Sequence, residues 1–294
     1  MANANHTTDL YQAVTDKIVT ALEAGAMPWE MPWRASREPA MPHNPISGTR
    51  YRGINPLLLW MAELDHGFSG ARWATYKQVE SAGGQVRKGE RGETVVFWSW
   101  TESDELDDNG KPQRRAILKR YTVFNLDQVD GLDHLRQPTP ASVWEPIDRA
   151  DALMHATGAN IAHGGSKAFY RSTADDVHLP PRESFNAATG YYTTALHELA
   201  HWTGHRSRLD RSLGNRFGSE AYAVEELIAE MGCAYTCAAL GIEATTQHAG
   251  YLAAWVRVLK SDKRAIFSVA SAAQKAADYL LQFDPAAAPL AAAA

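Results

Sequence analysis

His197-Glu198-Leu199-Ala200-His201 sets two imidazoles four residues apart. On a helix, positions i and i+4 lie on one face, one turn apart, so both rings can grip one metal ion. Glu198, beside the first ring, then faces the water that such a metal activates. That is the arrangement of zinc proteases, with the carboxylate as general base for peptide hydrolysis. Eleven histidines in 294 residues would yield this pattern by chance in roughly a few per cent of such chains. The surrounding residues therefore have to support it.

They do. Ala187 to Leu196 supplies small residues and helix formers running into the motif, and Leu196, Leu199 and Ala200 give it an apolar side. Gly204 follows and can end the helix. A catalytic zinc site takes three protein ligands and one open position. The third is sought in Glu220-Ala221-Tyr222-Ala223-Val224-Glu225-Glu226-Leu227-Ile228-Ala229-Glu230. Glu226 is the chosen ligand. Glu230, one turn on, is placed to hydrogen-bond a ligand histidine. Glu225 is the rival, about a hundred degrees around the helix. His205 ranks lower, because Gly204 intervenes. Tyr222, one turn before Glu226, is a candidate donor to the oxyanion. Leu227, Ile228, Met231 and Cys233 make the segment too apolar for a solvated helix.

The elements that must carry these residues form an α+β chain of two domains. A length of 294 residues suits two. The first, residues 1–130, opens with an amphipathic helix over 8–25, marked by Leu10, Val14, Ile18 and Leu22. Asn55-Pro56 starts a second helix, and Trp73 to Ala82 a third with Thr75 as its cap. Glu93 to Trp100 and Ala116 to Phe124 read as strands joined through Asn109-Gly110, a hairpin-turn signal. Residues 131–147, without periodicity, read as a linker. The second domain, 148–284, begins with a helix to 157. Short strands follow at 159–162, 168–171 and 175–179, then the two motif helices and helices near 248–260 and 263–282. Residues 285–294 are an alanine-rich tail, expected to be disordered.

Apolar residues make up 45% and charged ones 21%, with a net charge of −5. This excludes a globally basic nucleic-acid binder; any contact must come from a local patch. No run of eighteen apolar residues predicts a membrane span, and the polar start predicts no secretory signal. Cys233 and Cys237, one helical turn apart, suit a reducing cytoplasm as small core residues.

One patch stands out. Between Arg34 and Arg91 there are nine Lys/Arg against five Asp/Glu. Arg34, Arg37, Arg50, Arg52, Arg72, Lys77, Arg87, Lys88 and Arg91 interleave with Trp29, Trp33, Tyr51, Trp60, Trp73 and Tyr76. Cations pair with phosphates and flat rings stack on exposed bases, which suits single strands. The candidate contacts are Arg50, Tyr51, Arg52, Trp73, Lys77, Arg87, Lys88 and Arg91. Scattered arginines and core tryptophans are the competing explanation.

Tyr51-Arg52-Gly53-Ile54-Asn55-Pro56-Leu57-Leu58-Leu59 resembles the N-terminal domain of ArdC-type plasmid antirestriction proteins. So do Trp73 to Gln78, Gly84 to Gly92 and Val123 to Gln128. Leu179-Pro180-Pro181, Phe185, His197 to His201 and Thr203-Gly204-His205 resemble the zincin-like domain that follows in that family. Glu226-Leu227-Ile228-Ala229-Glu230 is similar to the E-x-x-A-E pattern of gluzincins. The resemblance implies a single-stranded-DNA-binding module joined to a metallopeptidase fold. It implies protection of entering plasmid DNA from host restriction during conjugation, in the recipient cytoplasm, with a host restriction enzyme or other protein as partner. It carries metal-site roles to His197, Glu198 and His201. Two imidazoles and a carboxylate favour zinc, and manganese or cobalt fit the same donors. Two alternatives stay open: a DNA-binding protein with a non-catalytic metal site, and a DNA-dependent protease acting on DNA-bound proteins.

Overall fold

The structure, a computed structural model, describes residues 9–29, 40–106, 112–136, 146–211, 219–244 and 251–286. The expectations for Trp33, Arg34, Arg37, the Asn109-Gly110 turn, most of the linker and the end of the alanine tail lie outside them. The chain divides into two compact units, Met1–Val14 with Pro42–Gln137, and Thr15–Met41 with Pro138–Ala294. A contiguous break near residue 130 does not describe this division. Ile18, Leu22 and Trp29 are buried, and the Trp29 ring meets Trp255, 5.4 Å away, within the second unit. The amphipathic pattern marks Ile18 and Leu22 as buried, but a local sequence window does not state which distant residues cover them.

Helix α1 (Leu10–Glu23) starts where the Asp9 carboxylate accepts the backbone N–H groups of Tyr11 and Gln12. In the first unit, α2 (Asn55–His66) has Pro56 in its first turn and stops at Gly67, whose φ of 71° is left-handed. Strands β1 (Trp73–Thr75), β2 (Gln85–Val86), β3 (Glu93–Leu106), β4 (Pro112–Asn125) and β5 (Val129–Asp130) form two small sheets, ordered β1-β4-β3 and β2-β5. The expected helix over Trp73–Ala82 is shorter. Trp73, Ala74 and Thr75 pair with Asn125, Phe124 and Val123, and α3 (Tyr76–Ser81) begins only after Thr75. There Thr75 and Gln78 form a reciprocal capping box. Ladder pairing fixed by a distant strand outweighs local helix propensity.

Two cores flank the sheet. Tyr51, Leu59, Ala62, Trp73, Val95 and Val123 form one, and Ala74, Val79, Val86, Leu126, Val129 and Leu132 the other. Leu132 belongs to the region expected as linker, so the chain through residue 136 folds onto the first unit. Asn55 ties helix to sheet: its side-chain amide donates to the Val96 carbonyl and accepts the Val96 N–H, both at 2.8 Å.

The second unit contains α4 (Pro146–Ala156), then β6 (Asn160–His163), β7 (Phe169–Arg171) and β8 (Asp176–Leu179) in the order β6-β8-β7. Strand β8 runs parallel to β6 and antiparallel to β7, which leaves β7 at the edge. Four helices complete it: α5 (Ala188–Trp202), α6 (Glu220–Leu240), α7 (Leu252–Ser261) and α8 (Ala265–Leu281). Leu153, Val177, Leu179, Leu196, Leu199, Cys233 and Cys237 share one buried core cluster, which fixes the rotation of α5 and α6 about their axes. No helix among the described residues is long and apolar enough to cross a membrane.

Candidate metal centre

Helix α5 presents His197, Glu198 and His201, all on its last turns, and all but His201 are buried below a tenth of their surface. Helix α6 starts at Ser219, whose hydroxyl caps the Tyr222 N–H. Its first turns then bring Tyr222, Glu225 and Glu226 to the same place. The Glu226 carboxylate lies 3.7 Å from His197 Nε2 and 3.6 Å from His201 Nε2. One ligand atom from each of the three residues falls within 4.8 Å of the others. A tetrahedral ion with bonds near 2.1 Å spaces its ligand atoms by roughly 3.4 Å, so this donor set fits a divalent cation.

The two further glutamates stand behind the histidines. Glu230 Oε1 is 3.9 Å from His197 Nδ1. Glu225 Oε1 is 3.1 Å from His201 Nδ1, the nitrogen turned away from Glu226. Glu225 is in turn held by Arg211, whose Nε donates to Oε2 at 3.1 Å and Nη2 to Oε1 at 2.8 Å. The same guanidinium donates to the Ala200 carbonyl at 2.7 Å and the Thr203 hydroxyl at 2.8 Å. Arg211 therefore joins the end of α5 to α6. His205 is drawn elsewhere, with Nδ1 2.8 Å from the Ser207 hydroxyl.

The electrostatics follow from burial against pairing. Burial pulls His201 down, but hydrogen bonds to Glu225 and Glu226 and their charges carry its pKa up to about 10. Burial pushes Glu226 up, and the two histidines overcome this and hold it well below the usual carboxylate range. Tyr222 is raised by burial and by its hydrogen bond to Glu226, so it keeps its proton at neutral pH.

A cavity of about 500 Å³ opens onto these groups. Residues 168–173, including edge strand β7, line it together with Tyr222 and Tyr251. Arg211 and Tyr251 were missed by the sequence reading. Neither keeps the helical spacing of the motif residues, and each arrives through a loop or a later helix.

Residues 8–124 match the N-terminal domain of anti-restriction factor ArdC, and residues 148–272 match a zincin-like metallopeptidase domain. The metal-free crystal structure of the antirestriction protein ArdC from plasmid R388 is 44% identical, with a TM-score of 0.81, covering 94% of this chain and 98% of that one. The chain belongs to the ArdC antirestriction family. The Mn(II)-bound structure of that ArdC protein superposes with a TM-score of 0.78. An uncharacterized protein, y4eC, of Sinorhizobium fredii is 44% identical over 93% of this chain and 92% of its own length. The DNA primase TraC of Escherichia coli is 43% identical over 93% of this chain, which spans 20% of that relative.

In this ArdC-family chain the sequence-derived DNA contacts divide in two. Arg50, Arg52, Lys77, Arg87, Lys88 and Arg91 are exposed on the first unit, although Arg87 already pairs with Glu90 and Asp130. Tyr51 and Trp73 are core residues and are withdrawn from the set. Trp73 is fully buried and donates its indole N–H to Glu63 at 3.0 Å, and the Tyr51 hydroxyl donates to the Trp73 carbonyl. Packing of α2 against the sheet claims both rings. Among the described residues of this unit the large exposed rings are others: Tyr76, Phe97, Trp98 and Tyr121.

Proposed function

We propose that this chain binds single-stranded DNA entering a recipient cell during plasmid conjugation and protects it from host restriction. Its second unit acts as a metallopeptidase on a host protein in the cytoplasm. The observation that carries the peptidase reading is the His197, His201 and Glu226 triad opening into a cavity walled in part by strand β7, an edge of its sheet among the described residues. The donor set favours zinc, and manganese is the metal in the related R388 structure.

His197, His201 and Glu226 would hold a divalent ion, which would supply Lewis acidity and lower the pKa of a water. The chain's own groups do the rest. An extended peptide adds to β7 by main-chain hydrogen bonds, which brings its scissile bond to the triad. Glu198 takes a proton from the attacking water as the new carbon–oxygen bond forms. It then delivers that proton to the leaving nitrogen as the carbon–nitrogen bond breaks. Tyr222, protonated at neutral pH, donates to the developing oxyanion.

The test is plasmid transfer into a restricting recipient with Glu198→Ala. Loss of protection by a folded, metal-loaded variant is the expected result. Full protection by that variant would leave masking of DNA as the mechanism and remove the peptidase from it.

A further inference from the structure

The β3–β4 hairpin continues beyond the cores that bury its base. Val95, Val96 and Val123 are buried, but Phe97 is 41% exposed, Trp98 55% and Tyr121 46%. These are three of the five large exposed apolar side chains among the described residues. The register sets Phe97 opposite Lys119 and Val95 opposite Tyr121. Alternation along the strands therefore puts Phe97, Lys119 and Tyr121 on one face. There the Phe97 and Tyr121 rings meet edge to face, with centroids 5.5 Å apart and planes at 78°. Lys119 is exposed beside them.

We propose that Phe97, Tyr121 and Lys119 form a platform on which bases of single-stranded DNA stack while the lysine pairs with the adjoining phosphate. This rests on the single-strand reading above and gives it a site. An exposed ring beside a cation is the pairing that single strands use, ring to base and charge to phosphate. The edge-to-face contact already fixes both rings, so little side-chain entropy is lost when a base arrives. A two-stranded ribbon can also enter a major groove, but it reads base edges there with side chains such as Arg, Asn and Gln. The paired rings are flat and largely apolar, and they suit base faces that a duplex keeps covered.

The experiment is fluorescence anisotropy on the full chain with a labelled oligothymidylate and an equal-length duplex across a salt series. The wild type is expected to prefer the single strand. Phe97→Leu and Phe97→Thr, and Tyr121→Thr, are each expected to weaken single-strand binding about tenfold. Leucine keeps an apolar side chain of similar bulk and removes only the flat face, so it separates stacking from simple burial should the threonine variants fold poorly. Phe97→Tyr is expected to retain wild-type affinity. Lys119→Gln is expected to lower the slope of log affinity against log salt by about 0.7, one phosphate's worth on a single strand. Wild-type preference with unchanged binding by the Leu and Thr variants overturns the platform and leaves the single-strand reading standing. Equal losses on the duplex reassign the face to duplex DNA and overturn it too. No single-strand preference in the wild type overturns both.

Discussion

Glu225 and Glu226 are neighbours in the chain, yet they address opposite nitrogens of one ring. Glu225 lies 3.1 Å from His201 Nδ1, and Glu226 lies 3.6 Å from Nε2. Consecutive helical residues diverge by about a hundred degrees, and His201 occupies the wedge between them. One carboxylate faces the cavity with the two Nε2 atoms. The other orients the imidazole from behind, and Arg211 fixes it there.

This division of labour predicts a graded effect on metal affinity. Outer partners of ligand histidines contribute about 10- to 100-fold to affinity. Glu225→Ala and Arg211→Ala are each expected to weaken Mn(II) or Zn(II) binding within that range, read by competition with a chromophoric chelator. Because Arg211 acts through Glu225, the double variant should lose little more than either single one. Arg211→Lys should recover little, since one ammonium cannot reproduce a fork that reaches Glu225, Ala200 and Thr203 together. Additive losses would show that Arg211 supports the site by another route.

Asp175 predicts a pH effect away from the triad. Hydrogen bonds from Arg208 hold its carboxyl below the usual 3.8, against the smaller opposing effect of burial. A depressed folded pKa contributes stability that is present above the unfolded value and is lost as pH falls through the folded one. Asp175→Asn is therefore expected to lower the melting temperature at neutral pH. The difference from wild type should close as the pH is taken below about 3.8. Asn suits this test because residue 175 has a φ of 53°, a left-handed conformation that Asn tolerates. A difference that persists unchanged in acid would rule out the ion pair as its source.

What the sequence could disclose here is what a single element repeats. His197, Glu198 and His201 are related by one helix, and so are Tyr222, Glu226 and Glu230, so periodicity alone placed each group on a common face. Glu225 and Glu226 could be told apart only once α5 and α6 were packed, because spacing within one helix does not state which flank meets its partner. Arg211 enters from a loop, and the cavity wall at 168–173 comes from a sheet edge; both are tertiary facts. In the first unit the same limit misassigned rings. Trp73 and Tyr51 sit among arginines in the sequence but point into a core. Phe97, Trp98 and Tyr121 read as ordinary strand residues and lie exposed, because the hairpin runs past the helices that cover its base.

Trp73 gives a direct check on that reassignment. Trp73→Ala removes a fully buried ring and its hydrogen bond to Glu63. Aromatic-to-alanine changes in cores cost about 3–5 kcal/mol, so urea unfolding of the variant should show a loss of that size. Phe97→Thr, by contrast, should leave stability nearly unchanged. If Trp73→Ala proved as stable as wild type while losing DNA affinity, its ring would belong to the binding surface after all.

Tyr222 lines the cavity with Tyr251, and the two rings lie 5.8 Å apart. Its hydrogen bond to Glu226 and its burial keep it protonated through neutral pH, so it can donate but not act as a base there. An oxyanion donor works only as charge develops, and removing one costs about 10²–10³ in kcat. Tyr222→Phe is therefore expected to depress kcat by that factor on a peptide substrate and to leave KM near its wild-type value. Metal affinity should hardly change, because the triad keeps all three donors. A variant that loses metal instead would show that the hydroxyl serves to position Glu226. A variant with wild-type kcat would take the oxyanion role from Tyr222 and leave it to another hydroxyl lining the cavity, such as Tyr251 or Tyr170.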